Sequence, residues 1–326
     1  MKIGIDIREY ALKKPFRITG HVFDSSRVLE VSVTDTNGIT GHGETSGAYY
    51  LGETVESMAR QCEDIAASIT SSTTRADVQK LMPPCGTRNA IDCAFWDLEA
   101  KQTNQSVWQL TGIDPKPLTT VFTIGIEDSP QKMADNALAA ADFPVLKIKM
   151  DGDQPIERMQ AIRAARPDAE IVVDANQGWS FKQLVEVAPA FANLEIAMIE
   201  QPLPRGDDRA LEGYDSPVIL CADESCLHLG EIDEVARRYQ MLNIKLDKSG
   251  GLTEGLAMAA EAKKRGLQLM VGNMMGSSLA MAPGTVIAQL CRFVDLDGPL
   301  LLKEDCSPSL VYEGPTVQPT DSQLWG

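Results

Sequence analysis

The sequence predicts an α/β protein, a barrel of parallel strands preceded by a smaller α+β unit. Three observations point there. Residues 1–45 read as antiparallel strands, while from residue 118 onward eight short apolar runs recur with helix-like stretches between most of them. The ends of those runs carry charged residues at a nearly constant step.

The opening alternates apolar and polar residues through Ile3, Ile5 and Ile7, and again through Val28, Leu29, Val31 and Val33. Asn37-Gly38 lies between Ser32-Val33 and Ile39-Thr40, a hairpin signal. Helical spacing follows over 53–70 and more strongly over 88–102, where Ile91, Ala94, Phe95 and Leu98 share a face. Phe95 and Trp96 are expected in the core. Sheet first and helices second suggest a segregated α+β domain. Gly112–Pro117 reads as a linker.

The eight apolar runs are 118–126, 145–150, 170–175, 197–201, 218–223, 241–247, 267–272 and 293–297. Strands alternating with helices at roughly 25 residues imply parallel βα units. Eight of them suggest a closed barrel, with an open doubly wound sheet as the competing arrangement. No GxGxxG follows an early strand, so a dinucleotide fold gains no support.

Composition narrows the function classes. The 326 residues hold 46 Asp+Glu against 30 Lys+Arg, a formal net charge of −16. Such a surface repels phosphate backbones and anionic lipid, which argues against nucleic-acid and membrane partners. No run approaches 18 apolar residues, and the N-terminus lacks an unbroken apolar stretch. Seven cysteines without CxxC suggest free thiols in a reducing, cytoplasmic setting. Three scattered histidines make zinc or Ser-His-Asp chemistry a weak reading.

The run ends are the informative feature. They are Lys147-Ile148-Lys149, Asp174-Ala175-Asn176, Glu200-Gln201-Pro202, Asp223-Glu224-Ser225, Lys245 through Lys248, and Asp295-Leu296-Asp297. From Lys149 the steps to Asp174, Glu200, Asp223 and Lys245 are 25, 26, 23 and 22 residues. In a barrel these ends meet at one mouth, where barrel enzymes keep their active sites. Three carboxylates gathered there call for a hard divalent cation such as Mg²⁺. Lys147 and Lys149 share a strand face, and repulsion between them is expected to lower the pKa of one toward general-base range. Asp295 and Asp297, two apart, are expected on one strand face and suit a cationic amine. A lone Lys-x-Lys or a lone acid after a strand is usually a solvated or capping residue. It is the ordered repetition that argues for a site.

These motifs resemble the enolase superfamily, in its muconate-cycloisomerase-like branch and the dipeptide epimerases within it. Lys147-x-Lys149, Asp174-Ala-Asn, Glu200-Gln-Pro, Ala222-Asp-Glu-Ser225, Asn243 through Gly251 and Asp295 through Pro299 carry the resemblance, with the helix from Arg88 to Leu98. It implies a modified (β/α)7β TIM barrel over 116–305, an N-terminal α+β cap over 1–115 bearing the specificity loops, and a tail over 306–326 returning to the cap. It implies an isomerase that epimerises dipeptides by α-proton transfer at the C-terminal residue through an enediolate, with L-Ala-D/L-Glu as the first substrate. Lys149 and Lys245 become the catalytic bases on opposite faces, and Asp174, Glu200 and Asp223 the Mg²⁺ ligands. Lys147, Asp295, Asp297 and Thr123 become substrate-binding residues.

Peptidoglycan peptide recycling is the implied context, and self-association stays open. The related alternatives are N-acylamino-acid racemase, succinylbenzoate synthase and cycloisomerase, and a silent binding protein is a further one. One departure bears on the substrate. The arginine that pairs with a substrate glutamate in the family aligns with Gly20, leaving Arg17 and Arg27 as substitutes.

Overall fold

The computed structural model describes residues 1–326. The chain opens on a three-stranded antiparallel sheet of β1 (Lys2–Ile18), β2 (His21–Thr34) and β3 (Thr40–Thr45). The hairpin before β3 is held by Asp35, whose Oδ1 accepts from the amides of Asn37 and Ile39. Helices α1 (Val55–Ala66), α2 (Arg75–Leu81), α3 (Gly86–Thr103) and α4 (Val107–Thr111) follow. Thr54, Thr74 and Ser106 cap α1, α2 and α4 with reciprocal capping boxes.

Helix α3 is the joint of the molecule. It is buried along nearly its whole length, because β3 covers one side and the barrel the other. A Cβ on Gly43 would meet the Ala90 carbonyl at 2.1 Å, so α3 sits this close only over glycine. Its buried polar groups cross to other elements. Arg88 Nε donates to the Gly250 carbonyl, Asp92 accepts from Thr253, and Trp96 Nε1 donates to Thr253 Oγ1. Phe95 and Trp96 lie in the interior as expected.

After β4 (Leu118–Thr119) comes the eight-stranded parallel sheet. It comprises β5 (Phe122–Ile124), β6 (Val145–Lys149), β7 (Glu170–Asp174), β8 (Ile196–Glu200), β9 (Ile219–Ala222), β10 (Met241–Lys245), β11 (Gln268–Gly272) and β12 (Phe293–Val294). Each strand pairs with its sequence neighbour, and the edges meet where Val121 N donates to the Val294 carbonyl at 2.8 Å. That closes the barrel rather than leaving an open doubly wound sheet.

The crossovers are α5 (Pro130–Ala139), α6 (Pro155–Ala165), α7 (Phe181–Asn193), a single 3-10 turn after β8, α8 (Ile232–Val235), α9 (Leu246–Ser249) with α10 (Leu252–Lys264), and α11 (Ser278–Met281) with α12 (Gly284–Ala288). The short α13 (Gly298–Leu301) follows β12. Strand β14 (Thr316–Val317) pairs with β4 on one side and with β13 (Tyr312–Glu313) on the other. The last residues reach α3, where Trp325 Nε1 donates to the Cys93 carbonyl and Gly326 N to Asp97. No helix is long and apolar enough to cross a membrane.

The barrel interior is layered by the period-2 alternation of its strands. Val172, Met198, Cys221, Met241, Met270 and Phe293, one from each of six strands, form a separate buried apolar cluster. Two residues further along, the same inward direction holds Asp174, Glu200, Asp223, Asn243 and Asp295. A polar layer thus stands on an apolar floor.

Candidate active site

At the C-terminal mouth of the barrel, beside that polar layer, lies a cavity lined by Lys147, Lys149, Lys245 and Asp295 and roofed by β1, β2 and the turn at Tyr49 and Tyr50. Asp174 and Glu200 are register partners on β7 and β8. Glu200 pairs in register with Cys221, which sets Asp223 two residues further along the neighbouring chain segment. All three carboxylates are fully buried.

Each carboxylate is turned to an ammonium group. Lys149 Nζ lies 2.6 Å from Asp174 Oδ2, and Lys245 Nζ lies 2.5 Å from Asp223 Oδ2. Lys147 Nζ stands 3.2 Å from Asp174, 2.8 Å from Glu200 and 2.7 Å from Asp295. Gly272 makes room for Lys245, since a Cβ there would meet Lys245 Cε at 2.9 Å and Asn243 closer still.

At Lys147 the electrostatics run against a lowered pKa. Burial disfavours the charge on Lys147, but Asp295, Glu200 and Asp174 outweigh it and hold the pKa well above its ordinary value. Lys245 is raised in the same way, against burial, by Asp223 and Glu200. Three carboxylates within 3.2 Å of Lys147 Nζ favour its charged form. Burial and the neighbouring Asp174 push Glu200 up to about 7. Asp174 is buried too, yet Lys149 and Lys147 bring it down to about 2.

The donor set suits a hard divalent cation, being all carboxylate oxygen on consecutive barrel segments. Glu200 Oε2 is buried and accepts no hydrogen bond, although Lys147 is within ion-pair distance. In this conformation the acids face their lysines, so no three of them form a ready-made metal cluster. Holding an ion at Asp174 and Asp223 therefore requires exchange of the Lys149 and Lys245 contacts.

At the other end of the cavity, Asp295 and Asp297 do not share a strand face. Strand β12 ends at Val294, and Asp297 stands at the N-terminus of α13. They nevertheless meet at the cavity wall with Thr123, whose amide donates to Asp297 Oδ2 at 2.6 Å. Asn273 Nδ2 ties down the Asp295 carbonyl at 2.7 Å. Burial and then Asp295 raise Asp297 to about 7.

Sequence reasoning missed several residues here. Gln201 Oε1 accepts from the amides of Asp223 and Ser225, bracing the strand ends. Asn176, Gln177 and Gln201, just beyond two of the acids, all have positive φ, a concentration of backbone strain at the mouth. Lys248, Tyr49 and Tyr50 also belong to the site's surroundings. Met274 and Met275 also line the cavity. Of the two substitute arginines, Arg27 lines it but sits 2.7 Å from Glu56, and Arg17 lies 3.5 Å from Asp128 at a neighbouring cavity.

Residues 2–112 match the N-terminal domain of mandelate racemase/muconate lactonizing enzyme, and residues 131–318 match the enolase C-terminal domain-like family. This chain belongs to the enolase superfamily.

Among superfamily relatives, an Escherichia coli (strain K12) protein named L-Ala-D/L-Glu epimerase is 40% identical over 306 residues, 93% of this chain and 95% of that protein. A Pseudoalteromonas protein named N-acetyl-D-glutamate racemase is 40% identical over 83% of this chain and 87% of its own length. Solved structures agree in fold. An Agrobacterium tumefaciens enolase family member with bound sodium and L-Ala-L-Glu superposes with a TM-score of 0.96 at 41% identity, covering 99% of each chain. A dipeptide epimerase from Enterococcus faecalis V583, complexed with Mg and L-Leu-L-Tyr, gives 0.91 at 26% identity over 99% of this chain and 98% of that one.

Proposed function

We propose that this enzyme is a Mg²⁺-dependent dipeptide epimerase acting at the α-carbon of the C-terminal residue. The observation that carries the reading is the placement of Lys149 and Lys245. They stand on β6 and β10, four strand steps apart in a sheet of eight. Four steps is half the circumference of a closed barrel, so the two amines face each other across the mouth.

A substrate α-carbon held between them meets one nitrogen on each side. A lysine whose carboxylate contact has been exchanged away loses the partner that held it charged; as the neutral amine it takes the α-proton, and the ammonium opposite returns one to the other face, which inverts the centre. Magnesium bound by Asp174, Glu200 and Asp223 would supply positive charge to the substrate carboxylate as it gains a second negative charge. Lys147, held as an ammonium by three acids, supports the same carboxylate. Asp295 and Asp297, with Asp297 oriented by Thr123, receive the N-terminal ammonium of the dipeptide. In this reading residues 1–115 act as the specificity cap, 116–305 carry the chemistry, and 306–326 fasten the two.

The names of its relatives make L-Ala-L-Glu the first assay within a wider L-Ala-L-X panel. Deuterium should enter the C-terminal α-carbon in D₂O only with Mg²⁺ present. No exchange across the panel would sink the proposal. The Pseudoalteromonas relative favours a second reading, racemisation of an N-acylamino acid. Turnover of N-acetyl-L-glutamate exceeding that of every dipeptide would favour it. We also read the setting as cytoplasmic and the role as recycling of peptidoglycan peptides. All seven cysteines are free thiols, which suits a reducing compartment.

A further inference from the structure

The proposed reading, on which this inference rests and which it deepens, leaves one substituent of the substrate α-carbon without a direction. The hydrogen faces a lysine, the carboxylate faces Asp174, Glu200 and Asp223, and the nitrogen runs toward Asp295 and Asp297. The floor below is closed by the apolar layer of Val172, Met198 and their neighbours. The C-terminal side chain therefore faces the cap.

On that side the bulky residues of the cavity wall are Phe16, Ile18, Phe23, Tyr49 and Tyr50, with Ser25, Ser26, Ser46 and Arg27 between them. The rings form one continuous cluster. Phe23 and Tyr49 stand edge to face at 5.6 Å between centroids, and Tyr49 and Tyr50 likewise at 5.3 Å. His21 extends the cluster, 4.7 Å from Phe23 and 4.9 Å from Tyr49. These spacings are those of favourable aromatic pairs, and a further ring can join them on the same terms.

The charges point the same way. The cavity is lined by four cationic side chains, Arg27, Lys147, Lys149 and Lys245. Every one already lies within 3 Å of a carboxylate: Glu56, Asp295, Asp174 and Asp223 respectively. A glutamate side chain entering under the cap must draw Arg27 away from Glu56, and otherwise meets only the neutral donors of Ser25, Ser26 and Ser46. An apolar ring meets no such cost.

We infer that the cap of this enzyme selects dipeptides whose C-terminal side chain is aromatic or bulky and apolar, in preference to glutamate. The test uses the full-length, Mg²⁺-loaded enzyme and follows epimerisation of L-Ala-L-Phe, L-Ala-L-Leu and L-Ala-L-Glu. The expected result is a kcat/KM for L-Ala-L-Phe at least about tenfold above that for L-Ala-L-Glu. An equal or higher value for L-Ala-L-Glu overturns the inference and leaves the epimerase reading standing. The absence of exchange with these three and with every other dipeptide overturns both. Phe23→Arg places a cation in the wall and should shift the Phe-to-Glu ratio at least about tenfold toward Glu. An unchanged ratio in a folded Phe23→Arg enzyme also overturns it.

Discussion

Lys248 Nζ lies 2.7 Å from Asp223 Oδ1, with both side chains fully buried. The same ammonium also donates to the Asp223 carbonyl. Lys245 takes the other carboxylate oxygen. Asp223 is therefore held from two sides, and only Lys245 lines the cavity. When Lys245 turns to substrate, Lys248 remains to fix the acid in place.

This pairing predicts a stability effect. Removing one member of a buried ion pair strands the other charge, at about 3–5 kcal/mol. Lys248→Met should lower the midpoint of urea unfolding strongly in metal-free buffer. Mg²⁺ should restore more stability to the variant than it adds to the native enzyme, because the ion supplies part of the missing charge. Unfolding curves with and without Mg²⁺ check both statements.

The lysines are expected to act as a pair. Lys149→Ala and Lys245→Ala should each reduce epimerisation by about a hundredfold or more, the usual scale for loss of a general base or acid. Both variants should still gain thermal stability from Mg²⁺, since the three carboxylates remain. A variant with normal turnover in both directions contradicts the assignment of opposite faces.

Asp297 separates dipeptides from N-acyl substrates. Asp297→Asn keeps the shape and an acceptor for the Thr123 amide but removes the negative charge. It should raise KM for a free dipeptide at least about tenfold, the weight of one charge-assisted hydrogen bond. Any turnover of an N-acetylated analogue should change far less. Steady-state kinetics on the matched pair reads the difference.

These residues also show what the sequence could reveal. Asp174, Glu200, Asp223 and Lys245 were legible because strand alternation and a βα step of nearly constant length put like positions on one rim. A barrel of parallel strands was legible from the same runs, while its (β/α)7β form came only through the family resemblance. Asp295 and Asp297 were assigned to the right cavity for the wrong local reason, since β12 stops at Val294 and the chain turns into α13. Lys248 lay in the motif but was not singled out. Its direction depends on the single turn of α9, which the left-handed Gly250 terminates. The aromatic wall was invisible because His21 and Phe23 on β2 meet Tyr49 on a 3-10 turn only through tertiary packing. A lowered pKa does not arise at Lys147, because buried acids surround it as well as the neighbouring like charge.

The joint between cap and barrel should be pH-sensitive through Glu44. Its carboxylate accepts from Ser277 N at 2.7 Å and from Ser277 Oγ at 2.6 Å. Burial raises its pKa from 4.5 to about 7, over the opposing effect of those bonds and with help from Glu30 and Asp305. A carboxyl raised on folding contributes stability that is complete below its unfolded pKa and is lost as pH climbs through the folded value. Its contribution should therefore decline from about pH 4.5 to about pH 7. Glu44→Gln should flatten that slope, so the variant compares better with the native enzyme at pH 8 than at pH 5. Urea unfolding at the two pH values measures this.

The central claim is that protons leave and return on opposite faces through different lysines. The direct measurement follows L-to-D conversion of a turned-over dipeptide by the native Mg²⁺-loaded enzyme in D₂O, read by mass and NMR at early times. The account predicts that the first D-epimer formed carries deuterium at the C-terminal α-carbon in essentially every molecule, delivered by the lysine that did not abstract the proton. Early D-epimer retaining a substantial fraction of the original hydrogen would mean one group carries the proton across, and would contradict it.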